Sequence, residues 1–562
     1  MADRDFEPIA IVGMGCALPG ALSPAALWDA VLDNRDLLSP APPGKWGVTD
    51  SEQQAMGYRG GFVSGFETVF DPSAFDLGEI DAARLDPLFQ WLLYAGQEAW
   101  ADAGAPKVKR KKLGVIAGNL GYPSRALSDF ASDVWENGTS GIDPFNRFNT
   151  GGPARLLARS LGAKAPAFAL DAACASSLYA VKLACDRLQD GSLDVAVAAA
   201  VNGADNLILH QGFSALNALS PSGRSRPFVK GADGLVPAEG AAAVVLKRLA
   251  DCTVGETIHG VIRGIGLSND GRRKSLLAPD EGGQAEAMAA AWAMSGLDPA
   301  HDIGLVEAHA TGTPTGDKVE LMATAKHFAG VEGLPIGSLK GNLGHLITAA
   351  GLASLIKMSF AINEGVIPPT RLDGEALDGF AGSTMVPAQK VAWPKDRPRI
   401  AAISNFGFGG NNAHLILAAD DGTRPKARKR KAAKTEAVIC ATGLCMGPDR
   451  GVTAVLQRLA RPPKQPRGPM SEVAARPKPL RTPPSELGAA QGQQLALYDA
   501  VDEALARHPL EDGARVGVFT GFACAPEAAR WMLRARIAKR LSLDPQTPET
   551  DAARNGVAPP LK

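Results

Sequence analysis

The alternation of apolar and amphipathic segments between residues 8 and about 418 constrains the fold of this 562-residue chain more than any other feature. Short apolar runs with no polar alternation are typical of strands buried on both faces, and amphipathic stretches between them are typical of covering helices. We therefore expect an α/β fold whose sheets are buried between helices. The expected strands begin near residues 9, 113, 194, 241, 303 and 400, and the clearest helices span 177–191 and 282–296.

A basic segment at 420–434, DDGTRPKARKRKAAK, interrupts this alternation. It has no apolar periodicity, which favours a solvated linker over a patch for nucleic acid or a carrier protein. We therefore predict a first domain at 1–419, a linker at 420–434 and a second segment at 435–562.

The second segment repeats the opening of the chain. AVICATGLCMG at 437–447 resembles IAIVGMGCALPG at 9–20, and a short helical run follows each. A second pair of related segments carries matched glycines: Gly114 and Gly118, and Gly517 and Gly521. Because the repeat stops before a position matching Cys174, we expect an incomplete, poorly packed second domain. The Pro-, Arg- and Lys-rich insert at 461–486 is expected to be loose.

Composition excludes several classes of protein. The chain has 59 Lys plus Arg and 59 Asp plus Glu. It therefore lacks the excess of basic residues that would indicate nucleic-acid binding. Seven scattered cysteines do not predict a disulfide framework. There is no signal-peptide pattern and no apolar run near the roughly 20 residues of a membrane span, so we expect a cytoplasmic protein. The glycines at 13–20 do not have dinucleotide-binding spacing, and no phosphate-binding loop motif occurs.

Four short segments carry residues suited to acyl transfer. They are DAACASSL with Cys174, EAHATGTPTGDKVE with His309, GSLKGNLGHLITAAG with Lys340 and His345, and SNFGFGGNNAHLIL at 404–417. Each is weak alone, because a lone cysteine is usually a core residue and a lone histidine is usually structural. Their order and spacing together are what indicate a site.

In that order and spacing, the four segments resemble the β-ketoacyl synthases, and the resemblance covers residues 8 to about 418. It implies a thiolase-like fold, a five-layered αβαβα sandwich that normally forms a homodimer. It also implies an acyltransferase of the 3-oxoacyl-carrier-protein synthase type, which condenses an acyl thioester with a malonyl thioester and releases CO₂. The expected partner is an acyl carrier protein that brings its own phosphopantetheine, and no cofactor or metal is expected on this chain.

The resemblance also implies roles for individual residues. Cys174 would be the acyl-accepting nucleophile, and His309 and His345 would be the catalytic histidines. A helix beginning just after Cys174 would favour the thiolate through its N-terminal partial charge. Phe408, between Gly407 and Gly409, would act as a gate and a backbone oxyanion donor.

Lys340 allows two interpretations. It could be an acid–base group, or it could form a buried ion pair with Glu320 that supports the His345 loop; we favour the pair. Ala310 replaces a glycine that is commoner at this position in the family, and this small change should be tolerated.

The order of segments suggests a subtype. No GHSxGE serine motif follows the first domain, and a second ketosynthase-like start follows instead. This order resembles the ketosynthase–chain-length-factor subunit of polyunsaturated fatty acid synthases. The alternatives are a non-catalytic chain-length or dimerisation partner, and a ketosynthase fragment of a modular polyketide synthase. A thiolase is disfavoured because the glycine-rich segment has no second cysteine.

Overall fold

The computed structural model describes residues 6–271, 278–377, 384–426, 437–446, 449–460, 492–511, 514 and 516–521. The described residues form two compact units, one within 6–426 and the other within 437–521. The predicted insert at 461–486 and the linker residues 427–434 lie outside the described residues.

Within the described residues of the first unit, eleven strands form one mixed sheet. They are β1 Ile9–Ala17, β2 Leu113–Asn119, β3 Ala167–Leu170, β4 Val195–Asn202, β5 Gly240–Arg248, β6 Gly260–Asn269, β7 Leu305–Glu307, β8 Leu334–Gly337, β9 Thr384–Met385, β10 Ile400–Phe406 and β11 Asn411–Ala418. Their order is β9-β8-β7-β10-β11-β6-β1-β5-β4-β2-β3. The two halves of this sheet meet where β1 pairs antiparallel with β6.

Helices cover the sheet on both sides and fill the space between its halves. They are α1 Pro24–Leu32, α2 Asp50–Met56, α3 Pro87–Asp102, α4 Arg125–Asn137, α5 Gly152–Ser160, α6 Ser176–Gln189, α7 Asn206–Ala215, α8 Glu281–Ser295, α9 Pro299–Asp302, α10 Pro314–His327, α11 Lys340–Leu343 and α12 Ala350–Glu364. α6 and α12 pack together and contact strands of both halves, α3 and α5 cover one half, and α8 and α10 cover the other. The five-layered αβαβα sandwich that the resemblance implies is therefore confirmed.

Strand direction brings the site together. β7 is parallel to both β8 and β10, so the three strands end at the same edge of their half-sheet. His309 follows β7, Lys340 and His345 follow β8, and Phe408 follows β10. Cys174 lies between the end of β3 in the other half and the start of the central helix α6.

The described residues of the second unit include two helices, α13 Val452–Leu459 and α14 Gly492–Arg507. The first is the short helical run that the sequence predicts after 437–447. A two-residue ribbon pairs Cys445–Met446 with Asp449–Arg450. Residues 437–442 and 516–521, which resemble β1 and β2, are not strands in this unit. A strand needs a hydrogen-bonded neighbour, and none of the described residues of this unit supplies one beside these segments. No helix in the described parts of the chain is long and apolar enough to cross a bilayer.

Candidate active site

Cys174 lies at a tight turn between β3 and α6. Ala173 has a φ of 50°, a left-handed conformation that is uncommon for a residue with a Cβ. Asp171 Oδ1 accepts the Ala173 N–H at 2.9 Å, and Ser176 Oγ accepts the Ala172 N–H at 2.8 Å. These local hydrogen bonds hold the strained turn that presents the thiol two residues before the helix begins.

The structure brings both predicted histidines to this thiol. His345 Nε2 is 3.0 Å from Cys174 Sγ. The His309 and His345 rings are 5.2 Å apart and nearly perpendicular, at 81°. One ligand atom from each of the three residues lies within 4.8 Å of the other two, so the trio could also hold a metal ion. The absence of a metal stays a prediction.

Carboxylates on α10 hold the turn that carries His309. Glu320 accepts the backbone N–H groups of His309 and Ala310, both at 2.7 Å. Asp317 accepts the N–H groups of Thr311 and Gly312 at 3.1 and 3.2 Å. Burial raises the pKa of the Asp317 carboxyl to about 6 and also raises that of Glu320.

The predicted ion pair between Lys340 and Glu320 is wrong. Both Glu320 oxygens are used by backbone N–H groups, and no salt bridge joins its carboxylate to Lys340 in this part of the described chain. Lys340 Nζ instead approaches the Ala308 carbonyl at 3.4 Å. Burial lowers the pKa of Lys340, and the charges of Glu307 and Glu320 oppose that shift.

Burial also determines how the three central groups ionise. It lowers the pKa of His309 and of His345 well below the usual value, and the Lys340 charge lowers both further. Both rings are therefore neutral near pH 7. Burial raises the pKa of the Cys174 thiol to about 12, while the Phe408 backbone and the Lys340 charge act in the opposite direction.

The glycine-rich turn after β10 brings Phe408 against the nucleophile turn. A Cβ at Gly407 would lie 2.7 Å from the Ala172 carbonyl oxygen, so this approach requires glycine. Gly409 has a φ of 87° and is exposed. Asn405 Nδ2 donates to the Cys174 carbonyl at 2.9 Å and so ties this turn to the nucleophile turn.

The three central residues open into one cavity of about 380 Å³. Thr311 and Thr313 supply hydroxyl groups to its wall, and Phe408 lines the wall beside Cys174. The cavity therefore offers a thiol, two imidazoles and polar groups to a ligand that enters from solvent.

Sequence reasoning missed Asp171, Glu307 and Lys357. Glu307 Oε2 accepts a hydrogen bond from Lys357 Nζ at 2.6 Å, and both side chains are fully buried. The sequence does contain a signal for Glu307 and Lys357. Each is a charged residue inside an apolar run, IGLVEAHA for Glu307 and LASLIKMSF for Lys357. His414 is also buried, and its Nδ1 lies 2.9 Å from Ser404 Oγ on the neighbouring strand.

Comparisons with known proteins identify the family. The family model for the β-ketoacyl synthase N-terminal domain matches residues 6–252, and the model for the C-terminal domain matches 259–372. A phenolphthiocerol/phthiocerol polyketide synthase of Mycobacterium tuberculosis (strain CDC 1551 / Oshkosh) is 36% identical over 441 residues. That match covers 75% of this chain but 23% of the relative, so the chain spans under a quarter of its length.

Two solved structures are also similar to this chain. The PfaC Keto synthase-Chain length factor matches with a TM-score of 0.71 and 33% identity, over 81% of this chain and 52% of that one. The ketosynthase from module 6 of the bacillaene synthase from Bacillus subtilis 168 matches with a TM-score of 0.63 and 31% identity, over 73% of this chain and 72% of that one. Together with the two family models, these matches show that the chain belongs to the β-ketoacyl synthase family.

Proposed function

We propose that this chain condenses an acyl group on Cys174 with a malonyl group carried by an acyl carrier protein, in polyketide or polyunsaturated fatty acid synthesis. The observation that carries the proposal is the 3.0 Å contact between Cys174 Sγ and His345 Nε2, with His309 beside it in one cavity. A non-catalytic partner would have no need for all three groups at these distances.

The first half-reaction is acyl transfer. Cys174 Sγ attacks the thioester carbon, the bond to the carrier sulfur breaks, and the acyl group is left on Cys174. Because burial keeps the thiol protonated, His345 Nε2 takes the proton and returns it to the departing carrier thiolate. The backbone N–H groups of Cys174 and Phe408 stabilise the oxyanion.

The second half-reaction uses both imidazoles. Neutral His309 and His345 each donate an N–H to the malonyl thioester oxygen, which takes negative charge as the C–CO₂ bond breaks. The resulting enolate carbon attacks the acyl carbonyl on Cys174. The bond to Sγ then breaks, the β-ketoacyl chain leaves on the carrier protein, and the Cys174 thiolate regains a proton from solvent.

The partner is an acyl carrier protein whose phosphopantetheine arm carries the thioester. The cavity supports this assignment because Thr311 and Thr313 offer hydroxyl partners to amide groups on the way to Cys174. β3 is the last strand of the sheet and exposes 36% of Phe168. An open, partly apolar edge strand supports pairing with a second copy or with a chain-length-factor domain.

We also propose the domain division at 419 and 435 and a ketosynthase-like origin for the second segment. A Cβ at Gly15 would lie 2.3 Å from the Ala95 carbonyl oxygen, and a Cβ at Gly443 would lie 1.8 Å from that of Ala500. Ala95 lies three residues before Glu98 in α3, and Ala500 lies three residues before Glu503 in α14. The two units thus repeat one glycine-to-helix contact, which supports a chain-length-factor-like second domain.

Acyl loading tests the proposed function. The full chain is incubated with an acyl-carrier-protein thioester and digested, and the modified peptide is identified by mass spectrometry, with Cys174→Ala as the control. We expect the acyl mass on the Cys174 peptide only in the unaltered protein, and a β-ketoacyl product after malonyl carrier protein is added. Folded protein that takes no acyl group would identify a non-catalytic partner instead.

A further inference from the structure

A buried ion pair lies behind the two histidine turns and has no role in the proposed chemistry. Lys357 Nζ and Glu307 Oε2 are 2.6 Å apart, and their side chains are 1% and 0% exposed. Replacing a buried ion pair with well-packed apolar residues is often neutral or stabilising. Fold stability alone is therefore a weak reason for this pair.

Glu307 connects the two turns that carry the histidines. It is the last residue of β7, two residues before His309. Its Oε1 accepts the backbone N–H of Leu339 at 2.7 Å, immediately before Lys340 in the turn that leads to His345. The same oxygen accepts a hydrogen bond from Ser354 Oγ at 3.1 Å, so Glu307 also contacts α12.

The nucleophile turn is held by other groups. Asp171, Ser176 and Asn405 make the side-chain hydrogen bonds to the backbone around Cys174. Among the described residues, the hydrogen bonds of Glu307 and Lys357 reach Leu339 and Ser354 and do not reach the nucleophile turn. The ion pair is thus placed to act on the histidines more than on the thiol.

We propose that Glu307, with its charge balanced by Lys357, is a positioning residue that fixes the His309 turn relative to the His345 turn. This inference rests on the proposed condensing function. In decarboxylation both imidazoles donate hydrogen bonds to the malonyl thioester oxygen at the same time. Acyl loading needs only one imidazole together with the backbone N–H donors. Glu307 therefore supports decarboxylation more than acyl loading.

Two matched double variants isolate the acceptor at position 307. Glu307→Gln with Lys357→Met removes both charges but keeps an oxygen for the Leu339 N–H, whereas Glu307→Met with Lys357→Met removes that oxygen. We expect the ratio of malonyl decarboxylation to acyl loading to stay near the wild-type value in the first variant. It should fall at least about tenfold in the second, since a misplacement of about 1 Å can cost about 10²-fold in rate.

Melting temperature and circular dichroism confirm that each variant is folded before its rates are compared. Equal ratios in the two double variants would overturn the inference while leaving the condensing function intact. A wild-type protein that neither loads acyl groups nor decarboxylates malonyl thioester would instead overturn the proposed function and this inference with it.

Two further variants complete the test. Glu307→Asp keeps both charges but shortens the side chain that carries the carboxylate, so it replaces a double variant that fails to fold. We expect the ratio of decarboxylation to acyl loading to fall in Glu307→Asp, and an unchanged ratio in this variant contradicts the inference. Lys182→Met with Asp186→Gln removes a partly exposed pair on α6, whose atoms are 2.6 Å apart, and should leave the ratio unchanged.

Discussion

Cys174 and its two histidines depend on burial as much as on proximity. Burial favours the uncharged form of each group, so the thiol keeps its proton and the imidazoles stay neutral. A neutral imidazole has one N–H donor and one acceptor nitrogen. His345 can therefore accept the thiol proton at Nε2 in the tautomer that carries its proton on Nδ1, and donate to an oxyanion in the tautomer that carries it on Nε2.

The roles of the two histidines can be separated by substitution. His309→Ala removes one of two oxyanion donors for decarboxylation but leaves His345 beside the thiol. We expect malonyl decarboxylation to fall by about 10²–10³, the typical cost of losing one such donor, while acyl loading falls much less. Radiolabelled CO₂ release and mass spectrometry measure the two rates. The exposed His301 offers the control, since His301→Ala should change neither, and equal losses in both rates would contradict the assignment.

The lowered histidine pKa values predict a pH profile. Because the folded protein protonates His309 and His345 only well below pH 6.5, the acid limb of decarboxylation should lie below that pH. In the unfolded chain both histidines bind protons as the pH falls through about 6.5, so these two groups destabilise the fold progressively below it. Decarboxylation rates and melting temperatures between pH 5 and 8 test both consequences. A rate that halves at pH 6.5 would show an unshifted imidazole.

At the scale of elements, the site depends on turns that follow strand ends. β7 lies between β8 and β10 and is parallel to both. The functional residues follow the ends of these three strands, at the same edge of the sheet. The glycine-rich turn after β10 then packs directly against the backbone of the nucleophile turn. The two proposed oxyanion donors thus come from separate segments, and their spacing depends on close backbone contact.

Two alanine substitutions in this turn should have different effects. Gly407→Ala places a Cβ against the Ala172 carbonyl and should push Phe408 away from Cys174, slowing acyl loading by at least about tenfold. At Gly409 a Cβ meets nothing within 4 Å, so Gly409→Ala should cost only about 1–2 kcal/mol of backbone strain. Loading rates and denaturant unfolding measure the two effects. Similar loading rates in both variants would show that the close approach is unimportant.

At the scale of the whole molecule, the two units differ in how they bury apolar residues. The first unit encloses its central helices between the two halves of the sheet. In the second unit, Ile439, Val518 and Phe519 are 85%, 84% and 92% exposed. Their exposure is the expected result where strand-like segments have no sheet to join.

Limited proteolysis should distinguish the two units. We expect a protease of broad specificity to cut within 437–521 well before it cuts the sheet of the first unit, because exposed backbone without sheet hydrogen bonds opens easily. Cleavage sites are read by mass spectrometry over time, and acyl loading of Cys174 should survive the first cuts. A second unit that resists cleavage as firmly as the first would contradict its description as incompletely packed.

The sequence alone was enough for the layered α/β class, because continuous apolar runs such as IAIVGMG and DVAVAAAV, alternating with amphipathic stretches, are typical of buried strands between helices. It also identified Cys174, His309 and His345 as candidates through motif order. It did not identify β3, β6, β8 or β9. These segments are short or interrupted by glycine, and they form strands because neighbouring strands of the sheet pair with them.

Tertiary structure alone decided the partners of the charged groups. Lys340, Glu320, Glu307 and Lys357 all lie in apolar surroundings, and their sequence spacing allows several pairings. In the folded chain, the Glu320 oxygens accept backbone N–H groups of the His309 turn. Glu307 forms its ion pair with Lys357, which is 50 residues away in the sequence. Local patterns determine secondary structure because they act within a few residues, whereas ion pairing depends on which distant side chains the finished layers bring within about 3 Å.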